Sequence, residues 1–350
     1  MRTLRKYGLM LGLWACGVTL ACPICAPTTQ ITLAQQMVNA SNALLLVPRD
    51  GRWAVAARVK GDAERVPDGV LSEPRVTNST KGLVMLQDAI GKQWLAAGTL
   101  DTEHSAWLRR VAQSQRSDAM RGDEWQAQLR FYLPLLEHPE PLIARTAYEE
   151  VARAPYRELR ELQPHVDAQQ LLGWLRDPAL FSHAPLYTLL LGIAGGPLAQ
   201  SYVDAQLKQS QRRNDPNNLP ALLAAQLELR GPRGMAELQK FYLLERKRSL
   251  TEVQAALMAL SVHGGADAAV PRDRVLSTYK VFIQSRHVLA GYVASDLTSW
   301  KAWDLAPELI ALQTSGAPQH PAGAYAVYNH LASSPRTDAQ AAALAWRRTE

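Results

Sequence analysis

The clearest helical signal in the chain is HPEPLIARTAYEEVARAP, residues 138–155. Its apolar residues recur at helical spacing, and Pro141 suits a first helical turn because a residue there needs no backbone N–H donor. Pro155 closes the segment, since proline cannot continue a helix. The segment therefore predicts a helix over residues 141–151.

Similar helical segments continue beyond residue 118. Their connections contain Gly or Pro, as in Gly195-Gly196-Pro197, and Ser249 and Glu252 have the spacing of a capping box. A series of short helices with short breaks favours stacked helix pairs, and a compact helical bundle is the alternative. The predicted helices span residues 125–136, 141–151, 159–175, 186–207, 220–229, 235–244, 252–262, 275–283, 289–297, 305–312, 322–331 and 339–346.

Two of these segments are alike. Residues 138–155 and residues 320–335 each form a helix of similar length that opens after His-Pro and closes at Pro. The first of them is similar to the second helix of a HEAT repeat. That resemblance implies a helical array with an extended surface for a protein or peptide partner, although no clean period recurs between the two segments.

Before residue 112 the pattern is that of strands. An apolar run at residues 43–47 and an alternating run at residues 53–59 are separated by Asp50-Gly51, which is a common hairpin turn. Residues 83–86 and 93–97 predict a second pair of strands. A short helix is predicted over residues 31–40, ahead of the strands.

These patterns predict an α+β chain. A small β-rich domain comes first, and a larger all-α, HEAT-like domain follows. The predicted divisions are residues 1–21 for a signal peptide, 22–112 for the β-rich domain and 113–350 for the helical array.

The N-terminus has the pattern of an export signal. Three basic residues precede the apolar run 8–21, which is shorter than the roughly 20 residues of a membrane span. Cleavage after Ala21 would leave Cys22 as the first residue. Thr19-Leu20-Ala21-Cys22 is also close to a lipobox, in which Cys22 carries a lipid and anchors the protein. We predict a location in the periplasm or cell envelope, with a lipid on Cys22 as the membrane contact in the second interpretation.

The net charge of the chain is too mild to indicate nucleic acid or an anionic membrane as a partner. The net charge is +6 at pH 7, and three of the positive charges lie in the export signal. The basic spots Arg212-Arg213 and 246–248 are short and lie between helical segments, where solvated loops or helix ends are expected. A protein or peptide partner is predicted instead.

Several features together resemble a family of exported bacterial proteins. They are the export signal ending in Cys-Pro-x-Cys, the early helix, the strands closing on Val59-Lys60-Gly61, and residues 138–155. That family has no assigned activity, so the resemblance implies a compartment and an architecture rather than a reaction.

A second resemblance is to the netrin-like module, the OB-type barrel of the tissue inhibitors of metalloproteinases. Those modules begin at a mature N-terminal cysteine and continue with an apolar strand, a turn, a strand and Lys-Gly, as residues 43–47 and 55–61 supply here. Their cysteines are spaced Cys-x-Cys and form several disulfides that this chain lacks. The resemblance therefore implies the OB-like barrel topology of the β-rich domain and no inhibitor role.

The motif Cys22-Pro-Ile-Cys25 is the main candidate for chemistry. A cysteine pair in an oxidising compartment favours a local disulfide, and a lipidated Cys22 beside Cys25 is the alternative. A thioredoxin-like dithiol follows a core strand, which nothing before Cys22 supplies after cleavage. A thiol-disulfide redox protein, or a metal-binding protein using these thiols and the N-terminal amine, is the second functional hypothesis.

No complete catalytic or cofactor-binding motif is present in the sequence, since Ser277-Thr-Tyr-Lys280 matches Ser-x-x-Lys without the Ser-Asp-Asn and Lys-Thr-Gly that accompany it. The histidines are dispersed without a His-Glu-x-x-His set, and no Gly-x-Ser-x-Gly, Walker, Gly-x-Gly-x-x-Gly or EF-hand pattern occurs. Trp300 and Trp303 flank Lys301 at a spacing that places both on one helix face, which indicates core packing or a site that stacks a ligand. We predict no cofactor. The leading hypothesis is a non-enzymatic binding or scaffold protein of the cell envelope that binds a protein or peptide through its helical array.

Overall fold

The computed structural model of the chain describes residues 24–25, 31–67, 70–72, 79–114, 120–265, 268–316 and 319–346. These residues contain sixteen α-helices and a four-stranded antiparallel sheet whose strands precede the helical region. The predicted α+β class is confirmed. The predicted signal peptide and Cys22 lie outside the described residues.

The chain divides into two compact units. Unit 1 contains the described residues of Leu33–Trp125, and unit 2 contains those of Ala21–Thr32 and Gln126–Glu350. The predicted domain boundary after residue 112 stays a prediction.

Unit 1 is built on the antiparallel sheet. Its elements are α1 (Leu33–Asn39), β1 (Ala40–Arg49), β2 (Arg52–Lys60), β3 (Lys81–Asp88), β4 (Trp94–Asp101), α2 (Ser105–Gln113) and the start of α3 (Gly122–Tyr132). The strand order is β2-β1-β3-β4, so β1 pairs on both sides, and its apolar run 43–47 is buried. The edges β2 and β4 do not pair with each other among the described strands, whereas a closed OB-like barrel requires its edge strands to pair.

The end of β2 depends on Gly61. Its φ is +73°, and a Cβ there would lie 2.2 Å from Asn42 Oδ1. The space is needed because Asn42 Oδ1 accepts the backbone N–H of Ala63 at 2.9 Å. The preceding Lys60 donates from Nζ to the backbone carbonyl of Met37 at 3.0 Å and so satisfies a C-terminal carbonyl of α1. Lys60-Gly61 thus joins the strand to the helix.

The regular secondary structure among the described residues of unit 2 is entirely helical. It continues α3 and contains α4 (Pro141–Ala152), α5 (Tyr156–Arg160), α6 (Ala168–Arg176), α7 (Ala184–Ala194), α8 (Gly196–Arg213), α9 (Leu219–Arg230), α10 (Pro232–Leu238), α11 (Leu250–His263), α12 (Arg272–Ser285), α13 (Ala294–Ser299), α14 (Ala306–Thr314), α15 (Pro321–Ser333) and α16 (Thr337–Trp346). The helix predicted from residues 138–155 is confirmed as α4, with Pro141 in its first turn.

Several of the predicted helices were wrong in length, and two of them are interrupted. The predicted helix 159–175 is interrupted because Asp167 caps α6, accepting the backbone N–H groups of Gln169 and Gln170. The predicted helix 186–207 is divided between α7 and α8 at Gly195 and Gly196, whose φ values of +75° and +83° interrupt the negative φ of a continuous α-helix.

The helices α7, α9 and α11 form the core of unit 2, where α7 packs on α9 and α9 packs on α11. Most of their side chains are buried, which is typical of helices covered on several sides. The contact between α7 and α9 is close, because a Cβ on Gly192 would lie 2.7 Å from both Cα and Cβ of Ala225. Next to it, His263 Nε2 lies 3.0 Å from the carbonyl oxygen of Ala224, which joins α11 to α9.

The close contact predicts a large cost for one added methyl group. Gly192→Ala forces the backbones of α7 and α9 apart, so we expect it to lower the free energy of unfolding by about 1–3 kcal/mol. Gly173→Ala on α6 is the matched control, because nothing lies within 4 Å of a Cβ there. The control should raise that free energy by about 0.5–1 kcal/mol through helix propensity. Urea denaturation followed by circular dichroism measures both, and equal effects would contradict the close packing.

The buried His263 predicts a pH-dependent stability. Burial lowers its pKa from 6.5 to about 4 in the folded state, so the unfolded chain binds the proton more readily. The stabilisation by the neutral ring is complete above pH 6.5 and is lost as the pH falls toward 4. We expect the free energy of unfolding to drop by about 2–3 kcal/mol over this range. Urea titrations at several pH values measure it, and a His263→Gln variant should show a weaker dependence.

Candidate functional site

The predicted cysteine site is described in part. Cys25 is buried, with 4% of its surface exposed, and Tyr148 Oη donates to its backbone carbonyl at 3.3 Å. A reactive thiol needs solvent access, which the Cys25 side chain does not have in this arrangement. Because Cys22 lies outside the described residues, the disulfide and the lipid attachment stay predictions.

The predicted tryptophan pair does not lie on one helix. The helix α13 ends before Trp300, and Lys301 has a φ of +55°, which turns the chain and places Trp303 in a 3₁₀ turn. The prediction of a shared helix face was wrong because nothing in the sequence signals a left-handed lysine. Trp300 stacks on Tyr279 with ring centroids 5.8 Å apart, and Trp303 packs on His330 at 4.9 Å. Each ring thus has its own aromatic partner inside unit 2.

A more specific arrangement occurs where α10 ends. The helix continues into a π-helical turn, Gln239–Leu243, closed by a hydrogen bond from the N–H of Leu244 to the carbonyl of Gln239 at 3.0 Å. The wider turn leaves Phe241 43% exposed while the next residue, Tyr242, is buried. Such π-helical turns are rare and occur frequently at functional sites.

A polar cavity of about 260 Å³ lies on one side of this turn, between α8, α9 and the turn itself. Its central residue is Arg230, whose Nη2 donates to Asp204 Oδ2 at 2.6 Å and whose Nη1 donates to Glu237 Oε2 at 2.8 Å. Gln226 Nε2 also donates to Glu237 Oε2, at 2.8 Å. These charge-assisted bonds hold three helices around one guanidinium group.

The π-helical turn is held from outside by Arg248. Its Nε donates to the carbonyl of Phe241 at 2.8 Å, and its guanidinium lies 4.8 Å from the ring centroid of Tyr242. Arg248 Nη1 also donates to Glu252 at 2.8 Å, next to the predicted capping box of Ser249, which is confirmed. Arg248 is therefore a packed residue, unlike the exposed residues 246–247 that precede it.

A second cavity, of about 250 Å³, lies on the other side of α10, between that helix and α12. Its lining is mainly apolar and includes Met235, Val270 and Val281, with Arg274 at its edge. We call the two cavities, together with the exposed Phe241 that lines the polar cavity, the π-turn surface. It combines a charged cavity and an apolar cavity on one element.

A wider cavity of about 540 Å³, elsewhere in unit 2, is a weaker candidate. It is lined by Arg130, His165, Asp167 and Trp174 among others. Asp167 already caps α6, and no lining side chain is among the buried polar groups that lack a partner. The cavity therefore offers no polar group that a ligand would be needed to satisfy.

Comparisons with known proteins add no relative. The chain matches no protein-family model, no curated protein and no solved structure among those compared. Within the described ranges, no group of three or more His, Cys, Asp or Glu side chains is placed to hold a metal ion. No helix in the described part of the chain is long and apolar enough to cross a membrane.

The ion pairs of the polar cavity predict unequal roles for two arginines that share Glu237. Arg230 is 17% exposed and Arg233 is 80% exposed. Arg230→Met leaves Asp204 without its guanidinium and leaves Glu237 with only the exposed Arg233, so we expect a loss of about 1–3 kcal/mol in the free energy of unfolding. Arg233→Met, the matched control, should change it by less than about 0.5 kcal/mol. Urea denaturation compares them, and a similar loss in both would contradict a central role for Arg230.

Proposed function

We propose that the protein is a non-enzymatic binding or scaffold protein of the cell envelope. In this proposal the helical unit binds a protein or peptide partner through the π-turn surface. The observation that supports it best is the exposure of Phe241, which lines the polar cavity in a turn whose Gln239 lines the apolar cavity. A bound chain could place side chains of both kinds there, and aromatic residues are enriched at the centres of protein interfaces.

The HEAT-like character of the helical unit belongs to the same proposal. The core helices α7, α9 and α11 pack in series, with α8 and α10 between them in the chain. In arrays of this kind each helix pair contacts its neighbours, and the outer faces of the helices are left exposed to bind partners. The OB-like interpretation of unit 1 rests on the β1–β2 hairpin and Lys60-Gly61, and it requires an open form of that fold because the edge strands β2 and β4 do not pair among the described strands. The envelope location and the exported family rest on the N-terminal sequence.

Site-specific photo-crosslinking in the native cells tests the proposed function. A photoreactive phenylalanine analogue at Phe241 should form a discrete adduct with one partner, because that side chain lies at the proposed interface. The same analogue at Tyr325 on α15 is the matched control, since Tyr325 is more exposed, at 62% against 43%. Adduct formation at Phe241 alone is the expected result, and mass spectrometry of the adduct identifies the partner.

Two outcomes of this experiment would contradict the proposal. Adducts of the same pattern at both positions would mean that crosslinking follows exposure alone. The second is the absence of adducts at Phe241 when the purified variant is folded by circular dichroism. It would mean that the π-turn surface is not an interface in the cell.

A further inference from the structure

We infer that the partner binds the π-turn surface through an acidic peptide segment that also carries apolar side chains. This inference rests on the proposed function and names the chemistry of the partner. Two features of the surface support it: the positive charges that lack a counter-ion, and the apolar cavity next to them.

Apart from Arg230, which is paired with Asp204 and Glu237, the cations of the π-turn surface are exposed, and none of these exposed cations forms an ion pair with a described residue. Lys208 lines the polar cavity, and Arg274 lines the apolar cavity on the other side of α10. Lys240 lies between them in the π-helical turn, with its Nζ 5.1 Å from the ring centroid of Phe241. The loop that follows the turn adds Arg246 and Lys247.

The carboxylates of the same region are mostly neutralised. Asp204 and Glu237 are both bound by Arg230, and Glu252 is bound by Arg248. Glu245 remains exposed, with one carboxylate oxygen accepting the backbone N–H of Lys247 at 3.0 Å. The surface therefore has an excess of free positive charge, and a partner with carboxylates is complementary to it.

The apolar part of the surface favours a peptide over nucleic acid or membrane. The cavity between α10 and α12 has the size and lining for an aliphatic side chain, whereas a phosphate backbone would leave it empty. A lipid surface is flat and would cover Phe241 without entering either cavity. A peptide in which acidic and aliphatic residues alternate can occupy both at once.

Fluorescence polarisation tests the inference with a labelled peptide of alternating Glu and Leu residues and the full-length protein. The same peptide with Gln or Lys in place of Glu reports the charge requirement. We expect the Glu peptide to bind most tightly and its affinity to fall as salt is added. The triple variant Lys208→Gln, Arg274→Gln and Lys240→Gln should weaken binding about tenfold.

The matched control is a second triple variant with the same change in net charge. It replaces Arg49, Arg52 and Arg65 of unit 1 by Gln, and all three are exposed and outside the π-turn surface. This control should bind the Glu peptide as the wild type does. An equal loss in both triple variants would overturn the inference, because the attraction would then follow net charge and not this surface.

Further outcomes separate the inference from the proposed function. Equal binding of the Gln and Glu peptides, or no binding of the Glu peptide, would overturn the acidic partner. Adducts at Phe241 would then still support an interface. Tighter binding of duplex DNA or of phosphatidylglycerol vesicles, lost in the triple variant of the surface, would assign the cations to phosphate instead. A failure of crosslinking at Phe241 would count against the proposed function itself.

Discussion

The helical unit depends on the close approach of α7 and α9 at Gly192 and Ala225. The two helices and α11 bury most of their residues, among them the polar side chains of Thr188 and His263. Arg230 is the last residue of α9, where its guanidinium suits the helix C-terminus. Gly231, with a φ of +50°, ends the helix there. The polar cavity therefore lies where the buried helix reaches the surface.

The π-helical turn follows from the same arrangement. The short helix α10 starts at Pro232, directly after α9, and Glu237 must lie on the face that meets Arg230. The extra residue of the π turn then lets Tyr242 be buried against α8, where its hydroxyl accepts Gln211 Nε2 at 3.2 Å. The same widening of the turn directs Phe241 outward. The exposure of Phe241 is thus a consequence of burying Tyr242 and of pairing Glu237 with Arg230.

Much of unit 1 and most helix positions could be predicted from sequence, because local pattern determines them. The alternation of residues 53–59 and the turn Asp50-Gly51 gave the hairpin β1–β2 within a few residues. The π-turn surface could not be predicted in the same way. Arg230 and Asp204 are 26 positions apart, and five residues cannot distinguish a π from an α period. The i,i+4 spacing of Arg233 and Glu237, which indicates an ion pair on a helix, was the one signal of this surface in the sequence.

Several side chains with perturbed pKa values are buried among the helices of unit 2. Catalytic groups with shifted pKa values are normally found in accessible clefts. Here burial lowers the pKa of His263 and His330 to about 4, and both rings are enclosed by helices. Burial also raises the pKa of Tyr242, which faces the polar cavity, so that its hydroxyl stays protonated there. The carboxylates of that cavity are bound by Arg230. These ion pairs fix the shape of the cavity.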